Sequence, residues 1–331
     1  MSMLMYPEKI VVLLPKYIGD SIMATPALQL IEHAYPDAAI SVVCRQANAD
    51  IFMRSQFKVI VDPRCRNRTK GAFQLRQILQ NEQFDIGFLF SNTFLDALCF
   101  KLGQVKQIAG YEKEARSFLL DHKLKIDRGR HYINRYAHLV NSFAGDSFRK
   151  LPPVRVPFFS RNSMVTRTNG EKLIGFYFGG THKKNKHYPT DMAATIIKNI
   201  SISPDNRAVI FGDCSEMKTS DALLSLLTPD CQCINLTGRT SITELVDTIS
   251  SLDLLVTVDS SPMHIATAVG TKFIAIVGKT PQPFSAVKPK VTFGHYVESE
   301  GMYISDEDQM KDIYPERITD KIFEILYSAR N

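Results

Sequence analysis

The stretch Leu254-Leu255-Val256-Thr257-Val258-Asp259-Ser260-Ser261-Pro262-Met263-His264-Ile265-Ala266 decides how this chain is built. A short apolar run ends on a carboxylate, two hydroxyls follow, and Pro262 stands where a helix would open. Proline is tolerated there because the first N–H groups of a helix have no intrahelical partner. Strand, polar turn and helix in that order form the unit of an open α/β sheet, whose ligands bind beyond the strands' carboxyl ends. The helix aims free N–H groups and the positive end of its dipole at that crevice, which suits phosphate and polyhydroxyl ligands. Two readings of Asp259 and Ser260 stand side by side: helix caps, a common role for Asp and Ser, or ligand contacts.

Outward from this unit the same alternation runs through both halves. Apolar runs at 9–14, 40–44, 58–61 and 84–90 alternate with helix-like stretches, and 107–110 reads as a further edge strand. Leu151-Pro152-Pro153-Val154-Arg155-Val156-Pro157 interrupts the pattern with three prolines, and a polar stretch follows. The alternation restarts with strands at 173–178, 208–211, 233–236, 254–258 and 273–277. The expected fold is α/β, with two doubly wound parallel-sheet domains. Their expected limits are 1–155, a linker at 156–171, a second domain at 172–314 and a closing amphipathic helix within 315–331.

Composition narrows the class. The 331 residues are more than one core usually organises, and 44% apolar with 22% charged residues is ordinary for a folded chain. A net charge of +6 permits an anionic partner without requiring one. The six cysteines form neither a CxxC pair nor a zinc spacing, so a reduced compartment and no metal site are expected. No charged-then-apolar leader opens the chain, and no apolar run approaches the ~20 residues that span a bilayer. A soluble cytoplasmic protein, with peripheral contact to a membrane left open, is the expectation. No stacking or groove-reading motif accompanies the basic clusters, so nucleic acid is not an expected partner.

Polar and glycine punctuation gathers where the expected strands end. In the second half these turns are Gly179-Gly180-Thr181, Gly212-Asp213, Thr237-Gly238 and Asp259-Ser260-Ser261. One such turn is ordinary βα chemistry; four in one domain point to a shared ligand crevice. Between Thr181 and Pro189 stand Lys183, Lys184 and Lys186, a solvated loop in isolation but suited to phosphate at a strand end. In the first half Gly19-Asp20 follows the first strand without a GxGxxG fingerprint. Asp20 reads as a helix cap, the commoner role, or as a general base. Basic clusters at Arg64, Arg66, Arg68 and Lys70, and at Lys125, Arg128, Arg130 and His131, are solvated loops unless the partner carries phosphate. Asp306-Glu307-Asp308 reads as a solvated acidic loop, not a metal motif.

Together these segments resemble glycosyltransferase family 9, the bacterial lipopolysaccharide heptosyltransferases. The likeness rests on Gly19-Asp20 before Thr25-Pro26-Ala27-Leu28, on Lys186-His187-Tyr188-Pro189, and on Phe211-Gly212 with Glu216. It continues through Gly238-Arg239-Thr240-Ser241-Ile242-Thr243-Glu244-Leu245 and the Asp259–Ala266 segment. The resemblance implies a GT-B fold, two Rossmann-like domains facing a central cleft, with the last helix crossing back to the first domain. It implies an inverting, metal-independent transfer, without cofactor, from a nucleoside diphosphate sugar, typically ADP-heptose, bound by the second domain. The implied acceptor is an anionic core glycolipid held by the first domain, at the cytoplasmic face of the inner membrane. Carried over by position, Asp20 is the implied base, and Lys186 and Thr181 are implied partners of the diphosphate. Glu216 falls near the ribose and Thr240 near the adenine, while Asp259, Ser260 and His264 hold diphosphate and sugar. Gly180, Gly212, Ser261 and Met263 complete the implied donor set, and Lys16 joins Arg64, Arg66, Arg68, Lys70, Arg128 and Arg130 as acceptor candidates. Ser261 stands where the family has glycine, Lys279 where it has proline and His182 where it has a smaller residue, which leaves open a different nucleotide-sugar or a non-catalytic homologue.

Overall fold

The computed structural model describes residues 6–168, 170–180, 186–279, 284–301 and 310–327. Thr181, the lysines Lys183 and Lys184, His182 and the Asp306–Asp308 loop lie outside the described residues. The chain divides into two compact units, the first ending at Pro157 and the second beginning at Phe158.

Unit 1 runs β1 (Lys9–Leu13), α1 (Ile18–Met23), α2 (Thr25–Ala34), β2 (Ala39–Cys44), α3 (Gln46–Phe52) and β3 (Lys58–Val61). It continues with α4 (Arg68–Glu82), β4 (Ile86–Leu89), α5 (Phe94–Leu102), β5 (Gln107–Glu112), β6 (His122–Lys125) and α6 (Tyr132–Phe143). The strands form one parallel sheet in the order β3-β2-β1-β4-β5-β6. Val11, Val12, Phe88 and Ile108 are fully buried, as expected of a sheet covered on both faces. The order reverses between β1 and β4, so the carboxyl ends of these strands flank the switch-point crevice.

The helix expected over 21–34 is divided. Pro26 lacks an N–H, and Ala24 serves as both the C-cap of α1 and the N-cap of α2. Nor is the 107–110 strand an edge, because β6 pairs outside it. The sequence His122-Lys123-Leu124-Lys125 alternates half-buried and exposed positions, the pattern of a solvated edge that apolar runs do not reveal.

Unit 2 repeats the plan with β7 (Lys172–Tyr177), α7 (Thr190–Ile200), β8 (Asn206–Ile210), α8 (Met217–Ser225), β9 (Cys233–Asn235) and α9 (Ile242–Ser250). Then come β10 (Leu254–Val258), α10 (Ser261–Val269), β11 (Phe273–Val277), β12 (Gly294–Glu298) and α11 (Pro315–Tyr327). Its sheet, also parallel, has the order β12-β11-β10-β7-β8-β9, with the reversal between β7 and β10. Every residue of β10 and β11 is buried. Two Rossmann-like sheets of this order are the halves of a GT-B fold.

One expectation about the chain's organisation changes. Residues 158–167, read as linker, are bound to unit 2. The Phe159 N–H donates to Asp247 Oδ1 (2.8 Å), the Met164 N–H to Thr248 Oγ1 (3.0 Å), and Ser163 Oγ meets Ser251 Oγ (2.9 Å). Within unit 2 the closing helix packs on α7. Thr319 Oγ1 accepts from Asn199 Nδ2 (3.5 Å), and Tyr327 hydroxyl bonds to Asn206.

Candidate active site

At the β7/β10 switch point the two residues singled out from separate motifs meet. Lys186 Nζ donates to Asp259 Oδ2 across 3.0 Å, although 73 residues separate them. The lysine side chain is 44% exposed and the carboxylate 15%, so the pair opens onto solvent. Lys186 owes its place to the loop's base. The Tyr188 N–H donates to Phe178 O (2.9 Å), and His187 Nδ1 meets Gly179 O (3.1 Å). Gly179 has φ +72°, and a Cβ there would lie 2.1 Å from the Lys186 carbonyl oxygen. Only glycine combines that backbone angle with so close an approach. Gly180 is buried beside it. Tyr188 is fully buried and its hydroxyl donates to Ile313 O (2.7 Å), anchoring the far side of the loop.

The cap reading of Asp259 and Ser260 fails. Ser260 is the N-cap of α10 in extended conformation, but its side chain makes no cap hydrogen bond. Asp259 stands outside the helix and faces Lys186. Ser261, half-buried, opens the helix with Pro262. Pro262 has no N–H and the Met263 N–H donates to Ser260 O (3.1 Å), so the opening of α10 presents the Ser260 and Ser261 hydroxyls and the Ser261 N–H beside a lysine, an anion-favouring arrangement. Met263 is fully buried, so its side chain packs in the core and does not face the crevice, and His264 is 7% exposed.

Glu216 and Gly212 lie on the neighbouring β8 turn. Glu216 is buried, accepting from the Tyr177 hydroxyl (3.0 Å) and from the Asp213 N–H (2.8 Å) in a capping box. A Cβ on Gly212 would lie 2.7 Å from Thr237 Cγ2 and 3.1 Å from Glu216 Oε2, so the glycine lets that carboxylate sit against the strand end. Thr240, half-buried, precedes the α9 N-cap Ser241. Phe178, Gly179, His187, Phe211, Glu216 and Thr237 line one shared depression.

In unit 1, Asp20 is not a cap either. Tyr17 is the N-cap of α1, and Asp20 lies in the first turn, half-buried, where its charge complements the helix dipole. The turn before it is braced by residues the sequence did not flag. Asn48, fully buried, donates to Ser21 Oγ (2.8 Å) and to Pro15 O (3.3 Å), and Ser21 Oγ donates to Pro15 O (3.0 Å). Such bracing is invisible locally, since Asn48 is 33 residues from its partner.

A pocket of about 380 Å³ opens at the carboxyl ends of unit 1's strands, and Lys16, Arg45, Arg64, Arg68, Asp62 and Asp96 are among its lining residues. Lys16 extends over the Tyr17 ring, 5.0 Å from its centre. Arg45, missed in the sequence, follows β2 directly. Arg64 differs from the other cations: its guanidinium donates from Nε and Nη2 to Asp62 and from Nη1 to Asp96. Burial works against the Arg64 charge, but those two carboxylates more than offset it and raise its pKa further. Burial likewise disfavours the Asp96 charge, yet Arg64 and the Ser91 and Thr93 hydroxyls hold its pKa below the usual value. Arg64, expected to contact an acceptor, is thus committed to internal carboxylates. Arg66 and Lys70 are exposed nearby without lining the pocket. Arg128 is exposed on the loop before α6, and Arg130 lines a separate pocket with His138, Arg149 and Lys150. The acceptor candidates therefore do not gather at one place.

Comparison with known proteins agrees with this architecture. The family model described as Glycosyltransferase family 9 (heptosyltransferase) matches residues 72–312. Lipooligosaccharide heptosyltransferase 2 of Campylobacter jejuni is 26% identical over 284 residues, covering 85% of this chain and 83% of that protein. The structure of Escherichia coli ADP-heptose lps heptosyltransferase II superposes with TM-score 0.81 at 21% identity, covering 96% and 98% of the two chains. That of E. coli heptosyltransferase WaaC with ADP-2-deoxy-2-fluoro heptose gives 0.77 at 15% identity, covering 96% and 99%. With the family model spanning most of its length, this chain belongs to glycosyltransferase family 9 and is a glycosyltransferase.

Proposed function

We propose that the enzyme transfers a heptose from ADP-heptose to the core of a lipopolysaccharide or lipooligosaccharide, with inversion and without a metal. The observation that carries this reading is the Lys186–Asp259 pair at the β7/β10 switch point, beside the uncapped N-terminus of α10. Departure of a nucleoside diphosphate concentrates negative charge on its phosphates, and a preorganised cation with aligned N–H donors stabilises that charge. The names of the two E. coli heptosyltransferase structures support ADP-heptose as donor. Lys186 and the opening of α10 are assigned the diphosphate. Gly180, Gly212, Glu216 and Thr240 are assigned the nucleoside side, and Ser260, Ser261 and His264 the sugar. Thr181 remains in that set by resemblance alone. Asp20 is assigned to deprotonate the acceptor hydroxyl. Lys16, Arg45 and Arg68 are assigned the anionic groups of a core glycolipid reached at the cytoplasmic face of the membrane.

The test supplies purified enzyme with a panel of nucleotide-sugars and deep-rough glycolipids and measures nucleoside diphosphate release. ADP-heptose should outpace other donors, and no release with any donor overturns the reading. Asp20→Ala should lower kcat roughly a hundredfold or more while leaving ADP affinity unchanged. EDTA should leave the rate unchanged, whereas a rate abolished by EDTA and restored by a divalent ion removes metal independence. An α-linked product from an α-linked donor, or β from β, removes inversion.

A further inference from the structure

Phe118 is 73% exposed and Phe94 37% exposed, and their ring centres lie 6.2 Å apart. Both are held firmly. Phe94 opens α5 behind the Thr93–Asp96 capping box, and its N–H donates to Glu114 Oε2 (3.1 Å). Phe118 occupies a 3-10 turn, Ser117–Leu119, pinned by Leu119 and Leu120 in the core cluster. Arg116, on its other side, is fully buried and donates to the carbonyls of Tyr111, Ser91 and Thr93 and to Asn92 Oδ1. Scattered exposed apolar side chains are ordinary, but a braced aromatic pair marks a contact surface.

Its position says what it contacts. Phe94 stands between Thr93 and Leu95, both of which line the basic pocket of unit 1. Arg68 lines the same pocket, Arg66 and Lys70 are exposed beside it in sequence, and residues 63–81 contain no Asp or Glu at all. Aromatic rings seat at the boundary between headgroups and acyl chains, while exposed lysines and arginines are drawn to anionic headgroups. A second copy of the chain fits less well, because a two-fold contact through this patch sets the same cations against each other. We infer that Phe94 and Phe118, with Arg66 and Lys70, dock unit 1 on an anionic lipid bilayer. Presentation of the pocket to a membrane-held acceptor rests on the proposed function; the docking does not.

The chain has no tryptophan, so Phe118→Trp places a single fluorescent reporter on the inserting ring. Its emission should shift to the blue on vesicles of mixed phosphatidylglycerol and phosphatidylcholine, not on phosphatidylcholine alone, and less in high salt. The double variant F94S/F118S should bind the mixed vesicles at least roughly tenfold more weakly. It should release ADP at the wild-type rate with a deacylated, water-soluble core acceptor, and more slowly when the acceptor is embedded in vesicles. An unmoved F118W emission, double-variant sedimentation equal to wild type, or ring-dependent dimers without vesicle binding each overturn the docking. Vesicle binding through these rings by an enzyme that transfers no sugar upholds the docking and overturns the proposed function instead.

Discussion

At the residue scale, the Lys186–Asp259 pair is suited to exchange because it is only partly buried. A half-exposed ion pair contributes at most about 1 kcal/mol to stability, so a diphosphate can take over the ammonium cheaply. In this reading Asp259 is a rival anion as well as a site residue. Asp259→Asn should therefore tighten ADP binding by calorimetry, roughly fivefold, while Lys186→Ala weakens it and leaves the melting temperature nearly unchanged. Weaker ADP binding in D259N would mean instead that Asp259 contributes a direct favourable contact. Arg64, Asp62 and Asp96 obey the opposite logic. Asp96 is 5% exposed, and its folded pKa lies below the unfolded one, so its contribution is present above the unfolded value near ~4. That contribution is lost as pH falls through the folded value. Asp96→Asn should cost about 3 kcal/mol at pH 7, since it leaves a buried guanidinium half-paired. In denaturant titrations the gap from wild type should narrow steadily below about pH 4; a gap independent of pH removes the charge argument.

At the element scale, two glycines with positive φ separate geometry from function. Gly179 (φ +72°) closes the loop that carries Lys186, and an added Cβ meets a carbonyl oxygen at 2.1 Å. Gly270 (φ +81°) ends α10, and an added Cβ meets nothing within 4 Å. Gly270→Ala should cost about 1 kcal/mol from the left-handed backbone alone and spare ADP affinity. Gly179→Ala should cost more and also weaken ADP binding, because Lys186 must move; equal effects of the two on ADP affinity would contradict this. Elements of this kind were legible where local chemistry dictates them. The predominantly apolar β10, its polar turn and Pro262 mark a strand, a crevice and a helix start within a dozen residues. The edge strands β6 and β12 were not, because solvated edges lack a continuous apolar run. Nor was the burial of Arg64, whose Asp96 partner is 32 residues away.

At the scale of the whole molecule, three prolines between 151 and 157 announced the division into two units, and the structural boundary falls at Pro157. What followed was misread for a physical reason. Ser160, Ser163 and their neighbours have the composition of a linker, whether their hydroxyls face water or a helix. Here they face α9. Ser160 Oγ meets Ser250 Oγ (2.9 Å), Arg167 Nη2 donates to Ser251 O (2.8 Å), and Val165 is 5% exposed. Together with the bonds to Asp247 and Thr248, this segment is a strap belonging to unit 2. The strap extends unit 2 beyond the limit drawn from sequence. A fragment spanning 158–331 should accordingly unfold in one cooperative transition in urea and retain ADP binding. A fragment spanning 172–331 loses the Phe159 N–H from buried Asp247 and the Met164 N–H from Thr248. Each such loss costs about 1–3 kcal/mol, so its urea midpoint should fall well below that of the longer fragment. Equal midpoints would return residues 158–171 to the role of a linker.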